Sequence, residues 1–297
     1  MWTGTTARIG MLYPSAEAWR EAPEKRIMLF GMSGLGKTHI SNLLRASGGW
    51  FHYSVDYRIG TRYMGEHIAD NFKREAMKVP LLRNLLCSDS VYIASNITFE
   101  NLAPLSTYLG KPGSAQLGGL PFDEYCRRQA LHRAAEVAAM HDTERFAVRA
   151  RDIYGYDNFV CDSSGSICEI VDPDNPEDTV MSALAGVLLP VWIEGSEDHT
   201  KQLVRRFDRA PKPMCYQPEF LEGAWREYIA ETGAAETDVD PDAFVRWTYA
   251  RALAHRQPRY RAMAKRWGVT IAADDVTQVE SERDMVELIA RALEARG

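Results

Sequence analysis

The chain has 297 residues, enough for one large domain or two small ones with a substantial core, and its 45% apolar and 26% charged residues describe an ordinary globular protein. A net charge of −6 argues against nucleic acid as a bulk electrostatic partner. The sequence has no run of about 18 apolar residues, so no membrane-spanning helix is predicted. The N-terminus lacks the features of a secretory signal. The five cysteines are scattered and form no C-x-x-C pair, which favours a reduced cytoplasm over a metal cluster.

Residues 1–25 are predicted to be an irregular N-terminal arm because Pro14 and Pro23 interrupt them, with one helical turn expected over 16–20. The remainder, 26–297, is predicted to be a single domain. Its first strand is the short apolar run Arg26–Phe30. Residues 31–38 follow as Gly-Met-Ser-Gly-Leu-Gly-Lys-Thr and match the phosphate-binding pattern G-x-x-x-x-G-K-[ST] at every position. A helix is predicted from this loop to residue 46, so the motif has the strand–loop–helix context that it requires.

This loop predicts binding of a nucleoside triphosphate, and ATP with Mg²⁺ is the expected pair, although no base-reading motif separates ATP from GTP. Glycines let the backbone N–H groups converge on a phosphate, and the N-terminus of the following helix adds its positive dipole end. Lys37 is expected to reach the β- and γ-phosphates, and the Thr38 hydroxyl to ligate Mg²⁺. The predicted nucleotide-binding residues are Gly31, Ser33, Gly34, Leu35, Gly36, Lys37, Thr38 and His39.

A second strand is predicted over 50–55 and ends in Asp56. The carboxyl end of a strand beside a phosphate loop is where an open α/β sheet places its ligands. Asp56 is therefore a candidate base or metal ligand, with Arg58 and Arg62 nearby, and the alternative is a solvated strand-to-helix turn.

Residues 60–121 are predicted to be an inserted region that binds a substrate or a partner. Its first part, 64–86, has helical spacing with a break at Pro80. The second part is irregular, with a short strand expected over 91–94 and turn-forming residues from 96 to 119. A long irregular stretch within a compact domain is usually a lid, a binding loop or disorder. A substrate contact by Lys111 is less expected than an ordinary surface position.

Two amphipathic helices are predicted next, one from Pro121 through Val137 that carries Arg127 and Arg128, and one over 142–151. A buried strand then ends in Asp162 and leads into a Ser-Ser-Gly turn. An apolar strand that ends in aspartate is the arrangement that holds Mg²⁺, directly or through water, in phosphate-loop proteins. The alternative is an aspartate that only starts the turn.

The last third alternates helices and strands. Helices are predicted over 179–188, 196–207, 219–231 and 280–296, and from Pro241 with an interruption at Pro258; strands are predicted over Leu189–Glu194 and 268–272. The segment 205–220 is predicted to be a lid, because Arg205, Arg206, Arg209 and Lys212 precede or flank Pro211 and Pro213 and can close over polyphosphate. About five strands alternating with helices predict an α/β fold with a parallel sheet covered on both faces.

The order of these parts resembles the shikimate kinase and gluconate kinase branch of the nucleoside monophosphate kinase-like fold, a three-layer α/β/α P-loop fold. The matching features are residues 31–38, the strand ending near Asp56, the strand and turn 159–166, Arg205 with the Arg209-Ala210-Pro211 lid, and the tail 256–264. The likeness covers roughly 26–60 and 120–297, and only the phosphate loop is highly specific. Residues 60–121 have no counterpart, so the shikimate substrate is not carried over.

The resemblance implies transfer of the ATP γ-phosphate to a hydroxyl group. Asp56 then matches the second acid of the family's D-x-D and orients or deprotonates that hydroxyl, while Ser54 replaces the first acid and shifts the metal role towards Asp162. Gly165 belongs to the turn that replaces the family's triple-glycine substrate loop. Arg127 falls near a substrate-binding arginine of the family, and Arg58 is close to Asp56.

The leading hypothesis is therefore a cytoplasmic ATP- and Mg²⁺-dependent phosphotransferase acting on a small-molecule acceptor. In it, Lys37, Asp56, Arg205 and Arg209 carry the chemistry; Asp56, Arg58, Arg127 and Gly165 contact the acceptor; Thr38 and Asp162 hold the metal. The alternative is a nucleotide-dependent ATPase or switch whose partner is a protein bound by 60–121. A kinase of nucleotide or nucleic-acid ends is disfavoured by the acidic balance. The acceptor, the oligomeric state and the choice between Asp56 and Asp162 as the main metal ligand stay open.

Overall fold

The computed structural model describes residues 11–296, so residues 1–10 of the predicted arm lie outside it. The strands, in chain order, are β1 (Arg26–Phe30), β2 (Trp50–Ser54), β3 (Asn158–Asp162), β4 (Leu189–Glu194) and β5 (Val269–Ala272). The α-helices are α1 (Ala16–Glu21), α2 (Lys37–Ala46), α3 (Val55–Arg58), α4 (Gly65–Ala76), α5 (Pro80–Cys87), α6 (Ala103–Leu109), α7 (Phe122–Asp152), α8 (Ile167–Ile170), α9 (Thr179–Ala185), α10 (Glu197–Arg209), α11 (Pro218–Thr232), α12 (Pro241–Trp267), α13 (Ala273–Val276) and α14 (Glu282–Arg296).

The five strands form one sheet in the order β2-β3-β1-β4-β5, and every neighbouring pair is parallel. This confirms the prediction of an α/β fold with about five parallel strands flanked by helices. The register places Leu29 of β1 opposite both Asp162 of β3 and Val191 of β4. The carboxyl ends of β1 and β3 are therefore one residue apart in the register, and β4 continues two residues beyond the end of β1.

Burial explains the sequence patterns of the strands. β1 is the middle strand, and its residues from Ile27 to Phe30 are all fully buried. A strand covered on both faces has a continuous apolar sequence rather than an alternating one. β5 is an edge strand, and its burial alternates along Val269, Thr270, Ile271 and Ala272. The period of two is typical of a strand with one covered face.

The connections out of the sheet diverge next to β1. After β1 the chain runs through α2 to β2 at one edge, whereas after β4 it runs through α12 to β5 at the other edge. In open α/β sheets, ligands bind outside the carboxyl ends of strands whose connections diverge in this way. The loop between β1 and α2 lies at that point, which is where the sequence places the phosphate-binding motif.

The chain groups into two compact units. The first consists of residues 11–55, Met140–Arg206 and 251–296 and contains the sheet; the second consists of Asp56–Ala139 and Phe207–Ala250. The single domain predicted over 26–297 stays a prediction. Within residues 11–296, no helix combines the length and the apolar character that a membrane crossing requires.

The first unit includes part of the predicted arm. Helix α1 confirms the helical turn expected there, and its Trp19 is fully buried. The Trp19 indole donates a 2.8 Å hydrogen bond to the carbonyl oxygen of Val286 in α14. Arg20 forms ion pairs with Glu287 and Glu294 of the same helix, at 2.7 and 2.9 Å. This part of the arm is therefore packed against the terminal helix.

The second unit is helical, and aromatic rings fill its interior. Trp225 of α11 stacks on Phe122 of α7 with ring centroids 4.5 Å apart, and it meets Phe244 of α12 edge-on at 5.0 Å. Tyr228 meets Phe244 edge-on at 5.4 Å. Aromatic pairs in these geometries add to the free energy of burial, so α7, α11 and α12 have a common core.

The region 60–121 differs from its prediction in two places. No strand forms over 91–94, where Val91 and Tyr92 are 40% and 89% exposed. An isolated apolar run without a neighbouring strand gains no ladder hydrogen bonds. Helix α6, which was not predicted, lies in the stretch expected to be irregular. Its short run of three buried apolar side chains, Leu105, Tyr108 and Leu109, was hidden among turn-forming residues.

Three helices are longer than predicted. The two helices expected between Pro121 and 151 are one helix, α7, because no breaker separates them and Ala139 and Met140 are fully buried. Helix α12 continues through Pro258. Helix α10 extends to Arg209 rather than 207, because Pro211 restricts only the residue directly before it. The helix predicted over 179–188 is shorter and ends at Ala185.

Candidate nucleotide-binding site

Three glycines of the loop 31–38 have backbone conformations that side chains disfavour. Gly31, Gly34 and Gly36 have φ values of +136°, +91° and +102°. The space is also restricted: a Cβ on Gly31 would lie 2.7 Å from the carbonyl oxygen of Ile193, and one on Gly36 would lie 3.0 Å from a methyl of Val276. Positive φ and close packing together explain why glycine occupies these positions.

Lys37 folds back onto its own loop. Its Nζ donates to the carbonyl oxygens of Gly31 and Met32 at 2.9 and 3.1 Å, and the residue is 7% exposed. The ammonium group therefore lies inside the curve of the loop, close to the backbone that the motif reserves for phosphates. A bound phosphate would exchange these carbonyl contacts for stronger, charge-assisted ones.

The two predicted metal ligands are in direct contact. The Thr38 hydroxyl donates a 2.7 Å hydrogen bond to Oδ2 of Asp162. Asp162 is the last residue of β3, is 7% exposed, and lies opposite Ser54 in the register with β2. His52 Nε2 is 3.8 Å from the same carboxylate oxygen. A hydroxyl and a carboxylate are both hard oxygen donors, which Mg²⁺ prefers.

The other predicted residues of the loop divide by exposure. Leu35 is buried, and it packs against Gly195, where an added Cβ would lie 3.1 Å from a Leu35 methyl. Ser33 and His39 are exposed. His39 is in the first turn of α2, where a side chain projects near the helix N-terminus. Leu35 therefore fixes the loop rather than presenting a polar group.

Gly165 packs closely against the loop 31–38. A Cβ at this position would lie 3.3 Å from the backbone nitrogen of Ser33. The Gly165 carbonyl oxygen accepts hydrogen bonds from the Tyr260 hydroxyl at 2.6 Å and from Arg256 at 3.3 Å. Its backbone thus supports the loop, and the acceptor contact predicted for Gly165 stays a prediction.

Arg256, which donates to the Gly165 carbonyl oxygen, also belongs to a buried ion pair. Arg256 Nε donates to Glu169 Oε1 at 2.6 Å, and the two residues are 5% and 2% exposed. Burial by itself would lower the pKa of Arg256, but the Glu169 carboxylate raises it above its usual value. Burial would likewise raise the pKa of Glu169, but Arg256 lowers it. Both groups are therefore charged, and the pair was missed at the sequence level although Arg256 and Tyr260 lie in the tail that carries the resemblance.

Within the predicted cluster of cations, Arg206 lies next to the loop 31–38. A Cβ on Gly34 would be 3.4 Å from Nη1 of Arg206 and 3.0 Å from a Leu203 methyl. Arg205, the predicted catalytic arginine of this unit, precedes it on α10, and both residues are exposed. Within residues 11–296, the Arg206 guanidinium has no hydrogen bond or ion pair. Residues 203 and 206 are three positions apart and therefore lie on one face of α10. The neighbouring cations made this spacing difficult to recognise in the sequence.

Of the predicted acceptor-binding residues, Asp56, Arg58 and Arg127 lie in the second unit and Gly165 lies in the first. Asp56 is half-buried in the first turn of α3, directly after β2 in the chain. Arg58 stacks over Tyr63, with its Cζ 5.6 Å from the ring centroid. Arg127 is exposed and donates twice to Glu124, at 2.7 and 2.8 Å. This hydrogen bond is the main cause that lowers the pKa of Glu124 to about 2.

Arg128 is more buried than its predicted neighbour Arg127. It is 9% exposed and donates to Glu124 at 2.7 Å, to the Tyr108 carbonyl oxygen, and to Asn71 Oδ1 at 3.1 Å. It therefore joins α4, α6 and α7. Both arginines are paired with the Glu124 carboxylate. The sequence did not indicate that Arg128 connects these three helices.

The second half of the predicted lid is held by α7 of the same unit. The Tyr125 hydroxyl and the Gln129 amide donate to the Met214 carbonyl oxygen at 3.0 and 2.9 Å, and Gln129 accepts from Tyr216 N at 3.0 Å. Cys215 Sγ lies 3.1 Å from His132 Nδ1. Arg209, the other predicted catalytic arginine, is the exposed last residue of α10.

Comparisons with known proteins give one structural likeness. No family model and no curated protein matches the chain. A shikimate kinase structure from Bacteroides thetaiotaomicron is similar over 91% of this chain and 97% of that one, with 15% identity and a TM-score of 0.39. At this level the likeness implies neither an activity nor a substrate for this chain.

Proposed function

We propose that this protein is a nucleoside-triphosphate-dependent phosphotransferase that moves the γ-phosphate to a hydroxyl of a small molecule. The observation that carries the proposal is the loop 31–38 between β1 and α2, with Lys37 inside it and Thr38 bonded to Asp162. Three glycines with positive φ leave the loop backbone free of side chains where a phosphate chain would lie.

The residues of the first unit fit ATP and Mg²⁺. The loop amides and the N-terminus of α2 would hold the phosphate chain, with Lys37 placed to neutralise its β- and γ-phosphates. Thr38 and Asp162 would hold Mg²⁺, directly or through water. The metal would supply charge neutralisation on the phosphates. Arg206 would approach the transferring group, since its guanidinium lies beside Gly34.

The acceptor is proposed to bind at Asp56, Arg58, Arg127 and Gly165. Asp56 follows β2 directly and carries a carboxylate, so it is the proposed base that takes the hydroxyl proton. Arg58 and Arg127 are proposed to contact the acceptor, with Arg127 leaving Glu124 to do so. Catalysis of this kind is mostly positioning and charge stabilisation. The size and identity of the acceptor are to be found by experiment.

The test is ATP turnover by the purified full chain with Mg²⁺, alone and with a pooled metabolite extract. Mass spectrometry of the extract identifies any product that has gained one phosphate. We expect a phosphorylated metabolite that is absent with Lys37→Ala, because removal of this cation should lower the rate by several powers of ten. An unchanged rate for Lys37→Ala would reject the proposal.

A second candidate function is a nucleotide-dependent switch that acts with a protein partner. The apolar exposure of residues 77–92 favours it: Leu81, Val79 and Tyr92 are 67%, 47% and 89% exposed, and α5 has no buried residue. An exposed apolar surface of this kind often marks a protein–protein contact. ATP hydrolysis that a protein fraction stimulates, with no phosphorylated metabolite formed, would favour this function over the first.

A further inference from the structure

A buried histidine lies beside the proposed metal ligand Asp162. The His52 side chain is 1% exposed, and its Nε2 is 3.8 Å from Asp162 Oδ2. The same oxygen accepts the 2.7 Å hydrogen bond from the Thr38 hydroxyl. Burial of an imidazole costs free energy unless polar groups adjoin it, so apolar packing alone does not account for a histidine at this position.

The pairing of β2 with β3 sets the position of the ring. Ser54 lies opposite Asp162, and His52 lies opposite Val160. Because residues two apart in a strand point to the same face, the His52 and Asp162 side chains share one face of the sheet. His52 is one pair further from the carboxyl ends of the strands, where the loop 31–38 begins. The imidazole therefore approaches the carboxylate from the interior of the first unit.

This placement limits what His52 can do. A side chain buried to this extent does not meet a nucleotide or an acceptor, so it makes no direct contact with reacting atoms. A neutral imidazole protonated at Nε2 is a hydrogen-bond donor at that atom. Any effect of His52 on the site therefore acts through the carboxylate of Asp162.

The Asp162 carboxylate needs such a donor to serve as a metal ligand. Carboxylates that ligate metals are held in orientation by hydrogen bonds from the surrounding protein, and loss of such a bond typically weakens metal binding by about 10–100-fold. The Thr38 hydroxyl is itself a proposed ligand, so its position depends on the same ion. The position of His52 is independent of that ion, because β2 fixes the residue from the interior.

We propose that His52 is a positioning residue whose Nε2–H orients the Asp162 carboxylate for Mg²⁺. The inference rests on the proposed function, in which Thr38 and Asp162 hold the metal, and it applies whichever acceptor receives the phosphate. The variants His52→Gln and His52→Asn form a matched pair that tests it. The amide nitrogen of glutamine takes the place of Nε2, whereas that of asparagine takes the place of Nδ1.

The test is a calorimetric titration of the full chain and of both variants with ADP, once with Mg²⁺ and once with EDTA. Binding of ADP to the unchanged chain should be tighter with Mg²⁺. We expect His52→Asn to lose most of this tightening, while its affinity for ADP in EDTA stays within about threefold and shows that the variant is folded. His52→Gln should keep the tightening, because it keeps a donor at the position of Nε2.

Val160→Ala controls for a general loss of packing. Val160 is fully buried opposite His52, so this variant should be less stable in urea unfolding but keep the tightening by Mg²⁺. The inference is overturned if His52→Asn keeps the tightening, if His52→Gln loses it equally, or if Val160→Ala loses it as well. It is also overturned, together with the metal assignment, if ADP binds the unchanged chain no more tightly with Mg²⁺. Loss of the tightening in His52→Asn alone, with no phosphorylated metabolite formed by the unchanged chain, would reject the phosphotransfer and support the role of His52.

Discussion

The Thr38 hydroxyl and the Asp162 carboxylate are joined by a 2.7 Å hydrogen bond, although 124 positions separate them in sequence. Thr38 is in the first turn of α2, and Asp162 ends β3, the strand beside β1. The parallel sheet is what brings the loop after one strand to the carboxyl end of its neighbour. The specific phosphate-loop motif and the less specific strand-end aspartate thus meet at one position lined by oxygen atoms.

Asp162→Asn should remove most of the nucleotide turnover while leaving the fold intact, because asparagine still accepts the Thr38 hydrogen bond but carries no charge for Mg²⁺. We expect a loss of about a hundredfold or more in rate. Affinity for ATP measured in EDTA should change little. Asp157→Asn, an exposed position before the same strand, is the control and should keep full turnover. Equal rates for both variants would remove Asp162 from the metal site.

Gly34→Ala should impair nucleotide binding, and Gly48→Ala is an unusually close control. The two glycines have φ values of +91° and +89°, so alanine incurs the same backbone strain, about 1–2 kcal/mol, at each. Only Gly34 is crowded, with a Leu203 methyl 3.0 Å from the added Cβ, whereas nothing lies within 4 Å at Gly48. Both variants should lose similar stability in urea unfolding, but only Gly34→Ala should weaken ATP binding. Comparable ATP affinities would show that the loop tolerates a side chain.

The sequence predicted the sheet well because each strand is a short apolar run beside a turn or a helix start. β1 and β4 match their predicted bounds, since central strands covered on both faces have continuous apolar sequences. The loop 31–38 was equally visible, because its function requires fixed residue types at fixed spacing. Features that depend on residues close together in the sequence, such as apolar strands and the phosphate-binding motif, can therefore be predicted from one sequence.

Tertiary contacts account for the features that the sequence did not predict. Pro258 was expected to interrupt its helix, yet α12 is continuous, and the neighbouring Arg259 donates to the carbonyl oxygens of Cys168 and Val171 at 2.8 and 2.7 Å. Those side-chain contacts hold the backbone directly after the proline. Glu169 was missed for the same reason: its role depends on Arg256, which is distant in sequence, and no local pattern marks it.

Arg206→Ala should reduce turnover far more than Arg205→Ala, the adjacent variant with the same change of charge. Only Arg206 lies against the loop, 3.4 Å from the position of a Gly34 Cβ. An arginine that stabilises a transferring phosphoryl group contributes strongly to the rate, and we expect a loss of at least about a hundredfold. Arg205→Ala should stay within about threefold of the unchanged protein, as expected for an exposed surface charge. The reverse order of effects, from steady-state ATP turnover, would support the prediction that Arg205 is the catalytic residue.

Arg256→Met should destabilise the first unit, because it takes the guanidinium away from the buried Glu169 carboxylate, beside which the His255 imidazole lies at 3.7 Å. Removal of one partner from a buried ion pair typically costs about 3–5 kcal/mol. The double variant Glu169→Leu, Arg256→Met should recover part of this loss, since no isolated charge remains. Urea unfolding of both variants gives the comparison. A double variant less stable than Arg256→Met would mean that Glu169 contributes through its contact with His255, 3.7 Å away, rather than through charge balance with Arg256.

His132 should make the second unit sensitive to mild acid. Burial lowers its pKa to about 4, and the ring lies 3.1 Å from Cys215 Sγ on the face of α7 that holds the 214–216 segment. In the unfolded chain, histidine binds a proton near pH 6.5. As the pH falls from about 6.5 towards 4, the unfolded state gains a proton that the folded state does not, so stability declines by on the order of 3 kcal/mol. Above pH 6.5 this contribution is constant.

His132→Gln should remove that decline while preserving a polar side chain of similar length. The measurement is the free energy of unfolding in urea at pH 7.5 and pH 5 for both proteins. We expect the unchanged protein to lose more stability over this interval than the variant does. His141→Gln, at an exposed position of the same helix, is the control and should leave the pH dependence unaltered. A pH dependence that is the same with and without the His132 imidazole would mean that the ring takes up a proton inside the fold, paired with the nearby Glu136 carboxylate 3.8 Å away.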